Sequence, residues 1–311
     1  MTRYLDTNKS CRILICKFAC IITSNITATE SSVQLKLFKT FWGFDGSAAE
    51  GAALARAAHF DGIEAPAPLD ETALNALAGA LADSGLDYIA EICTGGSYVP
   101  ERSATPEQHL EDFESKLLRS KRLNPLFCNV IAGCDAWSLA TQIYFFQRAL
   151  DIAERYAITC SFETHRSRSF FNPWITREVL HAIPQLQLTC DLSHWAVVME
   201  RLPDSEWDVV VEVAANAHHI HGRVGYEQGP QVPHPAAVEY AEALASHQRC
   251  WEQIWRTQAR RGFAQTTLTP EFGPDGYLHC LPFTNMPVAD LWQINAWMGT
   301  IERAHFEAVF A

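Results

Sequence analysis

The chain has 311 residues, 48% of them hydrophobic, so it can form one large domain or two average ones around a sizeable core. Acidic residues outnumber basic ones by 36 to 24, and the formal net charge of -12 argues against nucleic acid as a partner. The ten cysteines are scattered without paired or metal-finger spacing. This excludes a disulfide scaffold of the small secreted kind and favours a reducing, cytoplasmic location.

Residues 1–32 differ from the rest of the chain. The apolar stretch at 13–22 is too short to span a bilayer, for which a helix needs about 20 apolar residues, so we expect no membrane partner. Basic residues precede this stretch, but Asp6 and Lys17 weaken its interpretation as a signal peptide. We predict an N-terminal extension at 1–32 that lies outside the main domain, residues 33–311, or against its base.

From residue 33 onward, short β-branched or aromatic runs alternate with longer amphipathic stretches rich in Ala and Leu, which indicates βα units and a parallel sheet. Ser47 and Glu50 form a potential capping box at the first helix, and Gly85 is placed to end the second. The predicted strands are 34–42, 62–65, 86–92, 126–131, 158–163, 186–191, 217–221 and 266–271. The predicted helices are 47–59, 70–84, 105–121, 136–156, 173–182, 205–214, 235–261 and 287–311.

Eight strands and eight helices in strict alternation suit a closed barrel. An open doubly wound sheet would also alternate, but residues 42–46 lack the glycine pattern that such a sheet usually carries after its first strand. No repeat or linker divides the chain. We therefore predict an α/β fold, a (β/α)₈ TIM barrel, as a single domain over 33–311 with the short N-terminal extension.

Polar residues close four successive predicted strands. In this architecture active-site groups project from the carboxyl ends of strands, so the four ends converge on one mouth of the barrel. A single acidic residue at a strand end is usually a helix cap or a salt-bridge partner. Four in succession are harder to explain in that way. The four residues are Glu163, Asp191, His221 and Glu271.

Three carboxylates and one imidazole at a common point would repel one another unless a cation neutralised them. Oxygen-rich sites with one imidazole suit Mn²⁺, Mg²⁺ or Co²⁺ better than a structural zinc, which prefers thiolates. We predict one divalent metal ion held by these four residues. Mn²⁺ is the first choice, Mg²⁺, Co²⁺ and Zn²⁺ are alternatives, and no further cofactor is expected.

Five other residues are candidates for substrate binding. His194 follows the sixth strand by a turn and could reach the site, or it could cap a helix or lie on the surface. Arg223 shares a strand face with the predicted histidine ligand and could hold a substrate oxygen, or it could pair with an acid. His165, Trp42 and Glu91 are weaker candidates at neighbouring strand ends. Either Glu91 or the nearby Glu64 could also orient a ligand.

From about residue 34 to the C-terminus, the chain resembles the sugar phosphate isomerase/epimerase superfamily, whose xylose-isomerase-like barrels include endonuclease IV, ketose 3-epimerases and hydroxypyruvate isomerase. The resemblance implies that the four strand-end residues hold the metal. It also implies that Glu163 and Glu271 form the acid/base pair, while His194 and Arg223 bind substrate. The motifs that carry it are Phe162-Glu163-Thr164-His165, Asp191-Leu192-Ser193-His194, His219-Ile220-His221-Gly222-Arg223 and Pro270-Glu271-Phe272-Gly273.

The function that best suits these residues is that of a divalent-metal-dependent isomerase or epimerase. It would act on a sugar or related hydroxy-carbonyl compound by proton transfer through a metal-bound enediolate. A lyase or dehydratase acting on a keto-sugar through the same carbanion is an alternative, and a non-catalytic binding protein is another. The segment 221–233 departs from the epimerase loop and leaves the substrate open. A nuclease would need further histidines on the early strands, which end without them. A homo-oligomer is compatible with the sequence.

Overall fold

The computed structural model of the protein describes residues 33–274 and 276–311. The described residues form one compact unit. The predicted extension at 1–32 lies outside the described residues. Among the described helices, none is both long and apolar enough to cross a membrane.

Eight parallel strands close into a barrel in which each strand pairs with its sequence neighbours and the last pairs with the first. The closure places Leu37 beside Leu268, and Leu268 beside Ile220. The predicted (β/α)₈ TIM barrel is therefore confirmed. The strands are β1 Gln34–Thr40, β2 Gly62–Pro66, β3 Asp87–Cys93, β4 Cys128–Ile131, β5 Cys160–Glu163, β6 Leu188–Cys190, β7 Ala217–His221 and β8 Gln265–Thr269.

Helices surround the barrel and bury their apolar faces against it. Ser47 and Glu50 form the predicted capping box, and Gly85 ends the second helix in the left-handed region with φ of 64°. Asp70 caps the start of that second helix. The helices are α1 Ala48–Ala57, α2 Glu71–Ser84, α3 Pro106–Lys121, α4 Leu139–Arg155, α5 Pro173–Ala182, α6 Ser193–Met199, α7 Trp207–Ala214, α8 Ala241–Arg260 and α9 Leu291–Val309.

Several predicted boundaries were wrong. The helix predicted from 235 begins only at Ala241, after a 3₁₀ turn at Val238–Tyr240, and the one predicted from 205 is 3₁₀ up to Glu206. The helix predicted from 287 begins at Leu291, because Asp290 caps it. The residues before that cap include a two-stranded antiparallel pair, β9 Cys280–Leu281 and β10 Met286–Pro287. Helix α6 was not predicted.

The core lies both inside the barrel and between the barrel and its helices. Phe113 of α3, Phe146 of α4 and Phe162 of β5 pack edge-on or tilted at centroid distances of 5.1 to 6.3 Å, and all three are buried. Burying one such ring stabilises the fold by about 1.5–3 kcal/mol. This packing holds the strands rigidly, so that their carboxyl ends project side chains from fixed positions.

Candidate metal centre and active site

The structure brings the four strand-end residues together. Glu163 is the last residue of β5 and His221 the last of β7, while Asp191 directly follows β6 and Glu271 lies two residues beyond β8. Each offers one ligand atom, and these atoms all lie within 4.8 Å of one another. All four side chains are buried. They form a candidate metal centre at the carboxyl end of the barrel.

Two atoms of this cluster point to a missing electropositive partner. His221 Nδ1 lies 2.9 Å from Glu271 Oε2 and 3.6 Å from Glu163 Oε2. In spite of this proximity, Nδ1 makes no hydrogen bond of acceptable geometry with any described residue, and neither does Glu163 Oε1. Buried polar atoms usually have partners. The donor set therefore fits a cation held by three carboxylates and an imidazole.

The electrostatics support the same conclusion. Burial raises the pKa of Glu163 well above its ordinary value, and the nearby carboxylates of Glu271 and Asp191 add to the rise. Burial also raises the pKa of Asp191, although Arg223 opposes this. For His221, burial lowers the pKa, but the surrounding carboxylates outweigh that effect and raise it well above the usual value. The cluster is deficient in positive charge.

Neighbouring polar groups fix the orientation of the candidate ligands. His221 Nε2 lies 3.0 Å from Glu64 Oε1 on the opposite side of the ring from Nδ1. Asn129 of β4 donates to Glu163 Oε2 over 2.8 Å. Ser193 donates to Asp191 Oδ1 through its hydroxyl at 2.5 Å. A carboxylate on the far nitrogen of a histidine is a common feature of metal sites, because it sets the tautomer and the ring orientation.

Arg223 lies inside this cluster and makes four hydrogen bonds there. Its guanidinium pairs with Asp191 and lies 3.4 Å from Glu271 Oε2. It also contacts His194 Nε2 at 2.7 Å and Ser193 Oγ at 3.1 Å. From its sequence position, Arg223 could bind a substrate oxygen or form an ion pair with an acid. The geometry contains the ion pair, and one guanidinium does not neutralise three carboxylates.

The rings of His194 and His165 lie in contact next to the centre, tilted by 46° to each other. Their ring centroids are 3.9 Å apart, and His194 Nε2 lies 3.6 Å from Asp191 Oδ2. Together with Glu163 they form a second group of side chains close enough to hold a cation. Burial lowers the pKa of both histidines well below the ordinary value, and the positive charge of Arg223 adds to this in each case. His194 is buried and is the second residue of α6, so it does not lie on the surface.

A cavity of about 350 Å³ opens beside the centre. Its lining includes six predicted site residues, and two further aromatic rings, Tyr98 and Tyr277, stand close to Trp42. Burial raises the pKa of Glu91 to about 8, and the carboxylates of Glu271 and Glu64 add to this. Asp191, His221 and His194 do not line the cavity. The six predicted site residues in the lining are Trp42, Glu91, Glu163, His165, Arg223 and Glu271.

Gln231, in the loop 222–233, holds the backbone at Gly273, four residues beyond the end of β8, in place. Gln231 donates to Gly273 O at 3.2 Å and accepts from Gly273 N at 2.9 Å. Asn295 of α9 does the same with both backbone groups of Phe272, each at 2.9 Å. Two buried amides thus hold the two peptide units that follow Glu271. A Cβ at Gly273 would overlap the ring of Trp42, so glycine permits this packing.

Sequence reasoning missed several of these residues. Asn129 interrupts the apolar run of β4, and a polar residue inside such a run is a signal that could have identified it. Tyr98 and Tyr277 lie in loops without regular periodicity. Gln231 contacts a residue 42 positions away, and no local pattern indicates that contact.

Comparison with known proteins gives the family context. A family model described as "Xylose isomerase-like TIM barrel" matches residues 52–230, more than half of the chain. No curated protein sequence matches significantly.

Solved structures of similar fold were found. The 3-keto-D-glucoside 4-epimerase of E. coli superposes with a TM-score of 0.59 at 12% identity, covering 87% of this chain and 100% of that chain. A xylose isomerase-like TIM barrel protein of Mycobacterium smegmatis in complex with magnesium has a TM-score of 0.60 at 13% identity, covering 91% and 99%. A probable 3-DHS dehydratase of Bacillus anthracis has a TM-score of 0.55 at 14% identity, covering 86% and 98%. At these identities the likeness concerns the fold.

Proposed function

The chain belongs to the xylose isomerase-like TIM barrel family, and from this premise we propose that it is a divalent-metal-dependent isomerase or epimerase. Its substrate class is a sugar or related hydroxy-carbonyl compound. The observation that carries the proposal is the convergence of three buried carboxylates and one imidazole within 4.8 Å at the mouth of the barrel. The proposed metal ligands are Glu163, Asp191, His221 and Glu271.

Mn²⁺ is the proposed ion, with Mg²⁺, Co²⁺ and Zn²⁺ as alternatives. The donor set of three oxygens and one nitrogen favours such ions over a thiolate-bound structural zinc. The similar barrel from Mycobacterium smegmatis is in complex with magnesium, which is consistent with an ion of this class. A bound divalent cation supplies positive charge to the carbonyl and hydroxyl oxygens of the substrate.

Two carboxylates are proposed to move the proton. Glu163 and Glu271 project from strands β5 and β8 and both line the cavity. One takes the proton from the carbon next to the carbonyl, and the other returns a proton to the substrate. Return to the opposite face of the same carbon gives an epimer, while return to the neighbouring carbon exchanges aldose and ketose. A carboxylate has two oxygens, so Glu163 could hold the ion through one of them and carry the proton on the other.

The remaining predicted residues receive binding roles in the proposal. Arg223 lines the cavity and presents an N–H group to a substrate oxygen, while Trp42 offers an apolar face. His165 donates from Nδ1 to the carbonyl oxygen of Arg166, so its Nε2 is available to accept from a substrate hydroxyl. His194 Nε2 accepts from Arg223 Nη2 at 2.7 Å and so helps to hold the guanidinium in position. Burial raises the pKa of Glu91 to about 8, so this residue carries a proton at neutral pH and can donate a hydrogen bond to substrate.

The proposal is tested by solvent deuterium exchange. The full chain with Mn²⁺ is incubated in D₂O with D-fructose, D-tagatose, L-ribulose and methyl 3-keto-β-D-glucoside, and the incorporation of deuterium next to the carbonyl is measured by NMR. We expect exchange with at least one of these compounds and a loss of about 10³-fold or more in Glu163→Gln. Glu154→Gln is the matched control, because Glu154 is exposed on α4.

Metal binding is measured in parallel by the shift of the thermal unfolding midpoint with Mn²⁺. The midpoint should rise for the wild type and for Asp83→Asn, an exposed control on α2, and should not respond in Asp191→Asn. A wild type without Mn²⁺ response and without exchange contradicts the proposal. Exchange accompanied by loss of water would assign the lyase alternative, which the dehydratase of similar fold also suggests. The cytoplasmic location, the lack of a nucleic-acid partner and the oligomeric state stay predictions.

A further inference from the structure

The wall of the cavity facing away from the ligand strands is largely apolar. It is formed by the loop after β2, by the ends of β3 and β4, and by α3. The opposite wall comes from β5, β7 and β8 and carries the charged groups. A sugar ring alone carries hydroxyl groups around its edge, so it would leave much of this apolar wall without an apolar contact. The residues of this apolar wall are Pro66, Ala67, Leu69, Cys93 and Ile131.

Three aromatic rings stand together at the cavity. The ring centroids of Trp42 and Tyr277 are 5.1 Å apart at an angle of 80°, and Tyr98 lies 6.3 Å from Tyr277 and 6.4 Å from Trp42. All three line the cavity. Aromatic rings in such clusters favour a further ring in edge-to-face or offset contact, so this group suits a planar ligand.

The cations on the apolar side are already paired. Lys116 Nζ lies 2.9 Å from Asp112 and 2.7 Å from the carbonyl oxygen of Cys93. Arg119 donates to the carbonyl oxygens of Pro68 and Leu69, each at 2.5 Å, and to the carboxylate of Glu71 at 3.0 Å.

A phosphate group on this side would therefore have to displace existing partners. Arg166 has no ion pair among the described residues, but it lies over the ring of Tyr277 and does not line the cavity. The lining also contains the carboxylates of Glu163 and Glu271, which repel an anion. Among the described side chains that line the cavity, Lys116 and Arg119 would have to give up these partners to bind a phosphate. Arg223 also lines the cavity, but it is paired with Asp191.

We propose that the substrate carries an apolar, planar group beside its hydroxy-carbonyl part, as in an aryl-substituted keto-sugar, and that this group packs against the apolar wall. A sugar phosphate is disfavoured. The inference rests on the proposed function, because the wall belongs to the same cavity as Glu163 and Glu271. The cavity volume of about 350 Å³ lies within the range of about 300–1,000 Å³ found for small-molecule pockets.

The test compares ligands that differ only in the group at issue. Binding of 4-nitrophenyl 3-keto-β-D-glucoside and of methyl 3-keto-β-D-glucoside to the Mn²⁺-loaded full chain is measured by calorimetry. A second pair, D-fructose and D-fructose 6-phosphate, tests the anion. We expect the aryl compound to bind at least about tenfold more tightly than the methyl compound, since the ring buries apolar surface. The phosphate should give no gain over D-fructose.

A variant locates the effect. Ala67→Phe fills the apolar wall from a half-buried loop position, and it should reduce the preference for the aryl over the methyl compound about tenfold. Ala76→Phe, the same change on the exposed face of α2, should retain the preference. Equal affinities for the two glucosides, no measurable affinity for either, or tighter binding of the phosphate would overturn the inference. If Mn²⁺-dependent exchange persists in that case, the proposed function still stands; if exchange is also absent, both fail.

Discussion

The two halves of the barrel differ in the side chains that they bring to its mouth. Strands β5 to β8 end in the four candidate ligands, whereas the β1 to β4 side supplies mainly apolar and aromatic walls. Two polar groups of the second side contact the candidate ligands: Glu64 of β2 reaches across the barrel to His221, and Asn129 of β4 donates to Glu163 on the neighbouring strand β5. One half thus carries the proposed chemistry. The other holds its ligands in place and sets the shape of the cavity.

The largest expected effect concerns the contact that joins the two halves. Glu64 of β2 accepts from Thr269 and lies 3.0 Å from His221 Nε2, so it orients the ring whose Nδ1 faces the carboxylates. In Glu64→Gln the neutral amide attracts the Nε2 proton of His221 less strongly than the carboxylate does. We expect the affinity for Mn²⁺ to fall by about 100-fold. Calorimetric titration with Mn²⁺ measures this directly.

The control for this prediction separates positioning from folding. Glu154→Gln should keep the wild-type affinity. The unfolding midpoint of Glu64→Gln without added metal should change far less than the Mn²⁺ affinity, because Gln fills the same volume and can still accept from Thr269. Equal Mn²⁺ affinity in wild type and Glu64→Gln would show that the β1 to β4 half has no part in holding the ion.

The next effect tests how the β7–β8 side keeps its own ligand in place. Gln231→Leu removes both hydrogen bonds to Gly273 and leaves a buried N–H and C=O without partners. We expect a loss of about 2 kcal/mol in the free energy of unfolding, measured by urea denaturation, together with weaker Mn²⁺ binding through Glu271. Gln228→Leu is the matched control, since Gln228 is exposed in the same loop. Similar losses of stability in both variants would contradict the conclusion that Gln231 holds the backbone at Gly273 in place.

The difference between local sequence patterns and contacts between distant residues explains which features could be predicted from the sequence. The barrel follows from eight repeats of a strand and an amphipathic helix, and each repeat is a local pattern. The convergence of the four strand-end residues follows from that architecture, because parallel strands end at one rim. Their roles as ligands and as acid/base pair stay predictions.

Other features depend on contacts that no short window contains. The seven-residue helix α6 is too short to give a helical period, and it was missed although it carries His194. Helix starts at 241 and 291 were misplaced because a 3₁₀ turn and an Asp cap precede them. The contact of Glu64 with His221 joins residues 157 positions apart. Only the closed barrel brings them together.

The smallest effect concerns a buried charge on the β1 to β4 side, outside the cavity. Lys39 of β1 is buried, donates to Thr40 O at 2.5 Å and lies 4.5 Å from the ring centroid of Trp292. Burial lowers its pKa from 10.5 to about 7. Between these values the unfolded chain binds more protons than the folded one, so this residue makes stability rise with pH over that window and lowers stability below it.

Lys39→Met should therefore be more stable than the wild type at pH 6, because the folded wild type then carries a charged amine that is buried away from water. The advantage should shrink as pH rises from 7 and disappear near pH 10, where the wild-type amine is neutral when folded. Urea denaturation of both proteins at pH 6, 8 and 10 measures the difference. Lys121→Met, on the exposed end of α3, should show no such trend. A difference for Lys39→Met that stays constant with pH would mean that this half of the barrel accommodates the charged amine without cost.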